Sequence, residues 1–279
     1  MSKIAKRLFI FFVGLPLVLL MVSVSYMNHL IIHFAIAIFS VLAGYEFYSM
    51  LEGKNMPLFR RGLILIFTGL LPYMAFFSIL TGNNLELVFW TYIAELLILF
   101  AYESLFKKNF IRSMEKIALS AFIILYSGFF VTFISRMTTL PNPTFMLVFF
   151  FILVFMCDSG GWFFGMLFGK STRGILAASP NKSLVGFIGG LASSLACAFV
   201  LKALFPDVFY LNNVNLVIIS LLTSVSAIIG DLIESVIKRS LDCKDSGSLI
   251  PGRGGVLDSI DSLLVAAPVF YVAVQFLFK

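Results

Sequence analysis

The sequence predicts an all-α, polytopic membrane protein with about nine transmembrane helices and its N-terminus in the cytoplasm. Three observations carry that prediction. Hydrophobic residues make up 60% of the 279 residues and charged residues only 12%, where a soluble domain carries roughly 25% charged residues. The apolar residues fall in runs long enough for a helix to cross a bilayer, about 20 residues, and they lack the period-two alternation of a barrel strand. Lys and Arg gather in alternate connections between those runs, as membrane topology requires. Mean hydropathy is +1.03.

The candidate spans are roughly 8–27, 30–51, 62–81, 85–103, 117–135, 144–168, 183–205, 214–237 and 256–278. The first follows Lys3, Lys6 and Arg7 like the start of a signal peptide. It is long enough to span and shows no obvious small-residue cleavage site, so it reads as a retained helix. With the N-terminus in the cytoplasm, seventeen of the twenty Lys and Arg fall on the cytoplasmic side. Only Arg136, Lys202 and Lys279 lie on or near the other side. Pro57, Pro141, Pro143, Pro180, Pro206 and the pair Pro251-Gly252 punctuate the connections. Residues 1–140 form the N-terminal helices and 141–279 the C-terminal region that carries the chemistry, together one integral membrane unit. No internal repeat is visible, and no hydrophilic stretch is long enough for a soluble domain.

The net charge of +6 does not indicate nucleic-acid binding, because the basic residues sit in short loops where membrane topology places them. Cys157, Cys197 and Cys243 lie far apart and show neither a disulfide framework nor a zinc spacing. His29 and His33 flank the second span and read as interfacial. Glu46 and Glu95 are intramembrane acids, which hint at function by default, but no partner for either is readable, and structural pairing is the simpler reading.

Polar chemistry concentrates in the C-terminal third. The end of the 214–237 run places Asp231, Glu234, Lys238 and Arg239 on an apolar helix, where a central charge costs roughly 2.5–3.5 kcal/mol. Asp231, Ser235 and Lys238 stand at i, i+4 and i+7 and share a face. The connection that follows supplies Lys244, Asp245 and Arg253 together with Gly252, Gly254 and Gly255, glycines that let backbone N–H groups approach an anion. Asp258 and Asp261 then open the last helix, an arrangement suited to phosphate at the N–H groups and to magnesium at the carboxylates. Upstream, Asp158 is followed by Ser-Gly-Gly-Trp-Phe-Phe-Gly165, and Lys182-Ser183 precede another helix. Taken alone, Lys238 and Arg239 also fit a topological anchor, and Asp158 fits a structurally paired acid equally well.

The 27 residues from Ser235 to Asp261 resemble the signature of the phosphatidate cytidylyltransferase (CDP-diacylglycerol synthase) family, S-x-x-K-R-x4-K-D-x-G-x2-I-P-G-H-G-G-x-x-D-R-x-D. Gly230-Asp231 and the 158–165 stretch also look like family motifs, as does the Glu46-Phe-Tyr48 patch. The likeness covers about residues 150–265. Arg253 replaces the usual His, Ser259 the usual Arg, and Val185 stands where the upstream motif expects an acid. A guanidinium at 253 keeps a cation near phosphate but cannot accept a proton.

The resemblance implies an enzyme that joins CTP and phosphatidate to give CDP-diacylglycerol and pyrophosphate at the cytoplasmic membrane. It implies Mg²⁺, with room for a second, monovalent cation, held by Asp231 and Asp258 with Asp261 and Asp245 in support. Asp231, Lys238, Arg239, Lys244 and Asp258 would be catalytic, and Ser235, Arg253, Gly254, Gly255, Lys182 and Ser183 would bind phosphate. Partners are CTP, phosphatidate and membrane lipids, with no nucleic acid; a homodimer is among the arrangements the resemblance allows. A different lipid phosphate as acceptor, CTP-dependent phosphorylation of a lipid alcohol, and an inactive scaffolding homologue are the alternatives. A transporter is disfavoured, because its polar residues would line successive helices near the midplane.

Overall fold

The computed structural model describes residues 10–83, 85–209, 211–250 and 253–277. Among them the elements are helical, with no β-strand, and isolated bridges join Arg173 to Ser183 and Ile250 to Gly254. A short helix α1 (Leu15–Ser23) precedes α2 (Tyr26–Glu52), α3 (Arg61–Thr81) and α4 (Glu86–Phe106). The span α5 (Ser113–Thr139) passes through a π-helical stretch at Ile124–Phe129. Then follow α6 (Pro143–Phe168), α7 (Leu184–Leu204), α8 (Asn213–Ser240) and α9 (Leu257–Leu277).

The eight helices α2 to α9 are long and apolar enough to cross a membrane. Of the expected first span, the described apolar part is Phe12–Ser23, too short for a hydrocarbon core of about 30 Å at a rise of 1.5 Å per residue. Residues 8 and 9 of that span lie outside the described residues, and its last two, Tyr26 and Met27, belong to α2.

At the start of α2 the chain turns through three consecutive left-handed residues, Met27, Asn28 and His29 (φ 46°, 53° and 64°). Such a conformation costs about 1–2 kcal/mol per non-glycine residue. Hydrogen bonds from two histidines hold it in place. His29 Nδ1 lies 3.0 Å from the Val22 carbonyl and its Nε2 lies 3.3 Å from Thr144 Oγ1. His33 Nε2 lies 2.9 Å from the Asn28 carbonyl and its Nδ1 lies 3.1 Å from Ser135 Oγ. Both rings are buried; a polar ring next to a helix break finds its acceptors inside the protein.

Small residues set the closest helix contacts, as is usual where lipid removes the hydrophobic drive between helices. Gly160, Gly161 and Gly165 of α6 face Gly186, Gly189 and Gly190 of α7. On α8, Gly230 meets the backbone of α9 so closely that an added Cβ would lie 2.5 Å from the Asp261 carbonyl oxygen. Backbone cannot step aside as a side chain can, so Gly230→Ala is expected to cost about 1–3 kcal/mol. A drop in the thermal midpoint of the detergent-solubilised protein would report it; an unchanged midpoint would mean that the two helices separate at no cost.

Direct contacts gather the basic connections at one end of the bundle. Lys54 pairs with Asp242 at 3.1 Å, which joins the α2–α3 loop to the α8–α9 loop. An Arg112 Nη reaches Met56 Sδ from the α4–α5 loop. Arg239 Nε donates to the Ala178 carbonyl of the α6–α7 loop at 3.4 Å. The four basic loops therefore share one face, the arrangement that the alternation of Lys and Arg predicts. Arg136 and Lys202 bond instead to Leu85 and Leu211, at the opposite end.

Candidate functional site

The site is built where the C-terminal turns of α8 meet the start of α9. Lys238 forms ion pairs with both Glu234, one turn earlier on α8, and Asp258 of α9. Its side chain is 12% exposed, and the two carboxylates are 1% and 6% exposed. The pairs are thus largely removed from water, where breaking one is expensive.

The loop from α8 to α9 folds against these groups. The Cys243 N–H closes the end of α8 on the Lys238 carbonyl at 2.9 Å, and Arg239 Nη1 donates to the Cys243 carbonyl at 3.3 Å. Further on, Ile250 and Gly254 exchange backbone hydrogen bonds of 2.8 and 3.0 Å. Gly254 has φ +112°, a region in which side chains are strained.

Two carboxylates then cap α9. Asp258 Oδ2 accepts from the Gly255 N–H at 2.8 Å and from the Ser246 N–H at 2.7 Å. Glu46, arriving from α2, accepts the Val256 N–H on Oε1 and the Leu257 N–H on Oε2, each at 2.9 Å. Ser246 Oγ lies 2.9 Å from both carboxylates and shares its proton with them. Negative charge at a helix N-terminus satisfies the orphan N–H groups and complements the macrodipole.

The upstream motifs close over the same region. Arg253 approaches Asp158 of α6 at 3.6 Å, and Ser262 Oγ donates to the other Asp158 oxygen at 3.3 Å. Lys182 pairs with Asp231 at 2.5 Å. Asp261 is buried and accepts its neighbour's N–H, that of Ser262, at 2.6 Å. Its carboxyl is within electrostatic reach of Asp231, Glu234 and Asp158.

The structure thus brings together Asp231, Lys238, Asp258, Asp261, Arg253 and Lys182, with Ser235 buried on the same helix. Lys244, Asp245 and Arg239 stand exposed around them. Ser183 is buried and caps α7, its oxygen accepting the Gly186 N–H at 3.1 Å. The Gly254 N–H donates to the Ile250 carbonyl within the loop, and the Gly255 N–H to Asp258 of α9. Gly252 lies outside the described residues.

Three contributors carried no assigned role in the sequence reading: Glu46, Glu234 and Ser246. A signal for Glu46 existed, an acid in an apolar helix, but its partners lie about two hundred positions away. Glu234 was visible among the acids of α8, yet its sharing of Lys238 with Asp258 depends on how α9 docks.

Five carboxylates (Asp158, Asp231, Glu234, Asp258 and Asp261) face three cations (Lys182, Lys238 and Arg253). Glu234 Oε1 is buried with no hydrogen-bond partner. Among the described residues no three His, Cys, Asp or Glu side chains form a ready-made metal cage. Magnesium does not need one, since it keeps several waters and takes one or two carboxylates plus substrate phosphates. The excess of acid and the unpartnered Glu234 oxygen fit such a cation.

This architecture defines a multi-pass membrane protein with a compact acid-and-base site at the basic end of its bundle. The chain belongs to the Cytidylyltransferase family, whose profile matches residues 5–277. It is similar to the phosphatidate cytidylyltransferase of Haemophilus influenzae, 44% identical over 131 residues, 45% of this chain and 44% of that protein. The Staphylococcus haemolyticus protein of the same name is 35% identical over 180 residues, 64% of this chain and 66% of the relative. That of Bacillus subtilis is 32% identical over 214 residues, 75% and 76% respectively. The chain therefore spans less than half the length of the first of these relatives, about two thirds of the second and about three quarters of the third.

Proposed function

We propose that the chain is a phosphatidate cytidylyltransferase, making CDP-diacylglycerol and pyrophosphate from CTP and phosphatidate on the cytoplasmic face of a bacterial membrane. The observation that carries this reading is the convergence of Lys182, Lys238 and Arg253 with a surplus of carboxylates at the end of the bundle where the basic loops meet. Soluble CTP and a lipid head group can meet there. The names of the relatives support the same assignment.

A phosphate monoester is already nucleophilic at neutral pH. A lipid phosphate oxygen forms a bond to the α-phosphorus of CTP while the bond to the bridging oxygen breaks, and pyrophosphate leaves. The barrier is repulsion between anions, so positioning and neutralisation carry the rate. Lys238, Lys182 and Arg253 would hold phosphate oxygens, with exposed Arg239 and Lys244 drawing the polyphosphate in. Asp231 and Asp258 would hold Mg²⁺, with Asp261 and Asp245 in support and the buried Glu234 oxygen in the same cluster. When bound, the cation would supply charge neutralisation on the phosphates. Asp258 has a second task, fixing the loop through Ser246 and Gly255.

The test supplies membranes carrying the chain with α-phosphate-labelled CTP, Mg²⁺ and phosphatidate, and follows label into an organic-soluble product. Transfer that requires both phosphatidate and Mg²⁺, and that falls at least about 100-fold in Asp231→Asn, is expected. No transfer by folded protein would sink the phosphatidate reading. Transfer only to an isoprenoid phosphate would move the assignment to another lipid acceptor.

A further inference from the structure

A second polar cavity lies at the other end of the bundle. It has a volume of about 570 Å³ and is walled by Asn83, Glu86, Arg136, Thr139, Tyr271 and Gln275, among others. Tyr271 is 13 residues beyond Asp258 on the same helix, which places it about 20 Å away at 1.5 Å per residue. The cavity is therefore separate from the signature loop.

Arg136 is half-buried, and one Nη donates to the Leu85 carbonyl at 3.2 Å. Its Nε is buried without a hydrogen-bond partner. No carboxylate among the described residues forms an ion pair with it. The Phe133 ring, 4.7 Å from the guanidinium carbon, steadies one face. Tyr271 is buried, and its oxygen accepts from Gln275 Nε2 at 2.7 Å. A buried donor left unmatched costs about 1–3 kcal/mol. One on the cavity wall, carried by a guanidinium with no carboxylate partner, marks the place of an external acceptor.

Arg136 lies in the last turn of a helix long and apolar enough to cross a membrane. Guanidinium matches phosphate oxygens with paired N–H bonds. Glu86 shares the wall and offsets the arginine, so a singly charged phosphodiester suits the cavity better than a dianionic monoester. We propose that this cavity binds the phosphodiester head group of a membrane phospholipid, taken from the leaflet opposite the signature loop. The site is independent of the reaction assigned above, and loss of either reading leaves the other standing.

The test titrates the detergent-solubilised full chain into dihexanoyl phosphatidylglycerol and follows ³¹P line broadening, with inorganic phosphate as competitor. Wild type is expected to broaden the phosphodiester signal. Arg136→Gln should weaken binding at least tenfold, Tyr271→Phe less, and Arg136→Lys, which keeps the charge but loses the paired N–H bonds, severalfold. Unchanged broadening in folded Arg136→Gln would overturn the proposal. If Arg136→Gln does not fold, unchanged binding by folded Arg136→Lys would overturn the guanidinium site. Displacement by inorganic phosphate at concentrations matching the lipid would overturn the lipid assignment in favour of free phosphate.

Discussion

Replacing Lys238 with methionine is expected to lower stability by about 3–5 kcal/mol, because it leaves the Glu234 and Asp258 carboxylates facing each other in a largely dry site. Methionine keeps most of the stem, so little of the loss would come from packing. The same change would remove a cation from the centre of the proposed reaction, and label transfer should fall about 100- to 1000-fold at a temperature where the variant is still folded. Lys238→Arg separates the two effects. It keeps a positive charge between the acids and should recover most of the stability. It should recover less of the rate, because a planar fork does not occupy the place of a compact ammonium. The thermal midpoint and initial rates of the three proteins check this. A Lys238→Met variant that melts with wild type would mean that the carboxylates find other counter-charges.

Much of this was legible in the sequence, for identifiable reasons. Hydropathy runs map onto spans because lipid allows the backbone few alternatives to a helix, and the boundaries expected for 62–81 and 144–168 lie within a residue of α3 and α6. The pairing of Asp258 with Lys238 sits inside one contiguous signature, so short-range spacing was enough to bring the two residue types to attention. Other features depended on how distant helices dock. Nothing local to His29 or His33 indicates that Ser135, Thr144 and the Val22 carbonyl will be there to bind them. Likewise the N–H groups that a glycine-rich helix start offers to phosphate are indistinguishable in sequence from N–H groups already capped by a side chain. Here the caps are Asp258, three residues along from Gly255, and Glu46, from another helix. The left-handed turn at Met27–His29 was unreadable as well, since none of its residues is glycine.

Glu46 is where the N-terminal helices reach the chemistry, and its removal should therefore be costly although it is placed to touch no substrate. In Glu46→Ala the Val256 and Leu257 N–H groups and the Ser246 hydroxyl lose an acceptor in a buried position. At about 1–3 kcal/mol for each unsatisfied buried group, partly relieved by water entering the vacated space, the expected loss is about 2–5 kcal/mol. Glu46→Gln keeps one acceptor oxygen but turns an amine toward an N–H group, so it should fall between alanine and wild type. Glu46→Asp keeps the charge yet draws it back by one methylene, which lengthens both capping bonds and should cost least. Activity should follow the same order, because α9 carries Asp258, Asp261 and Ser262 into the site and an uncapped first turn would no longer hold them in register. A positioning role predicts a particular pattern in the kinetics. The rate at saturating CTP should fall while the apparent affinity for CTP changes little, since the cations that would bind the nucleotide remain. Thermal midpoints and saturation curves for the three variants would display that order. An alanine variant with wild-type stability and rate would mean that α9 needs no cap from α2.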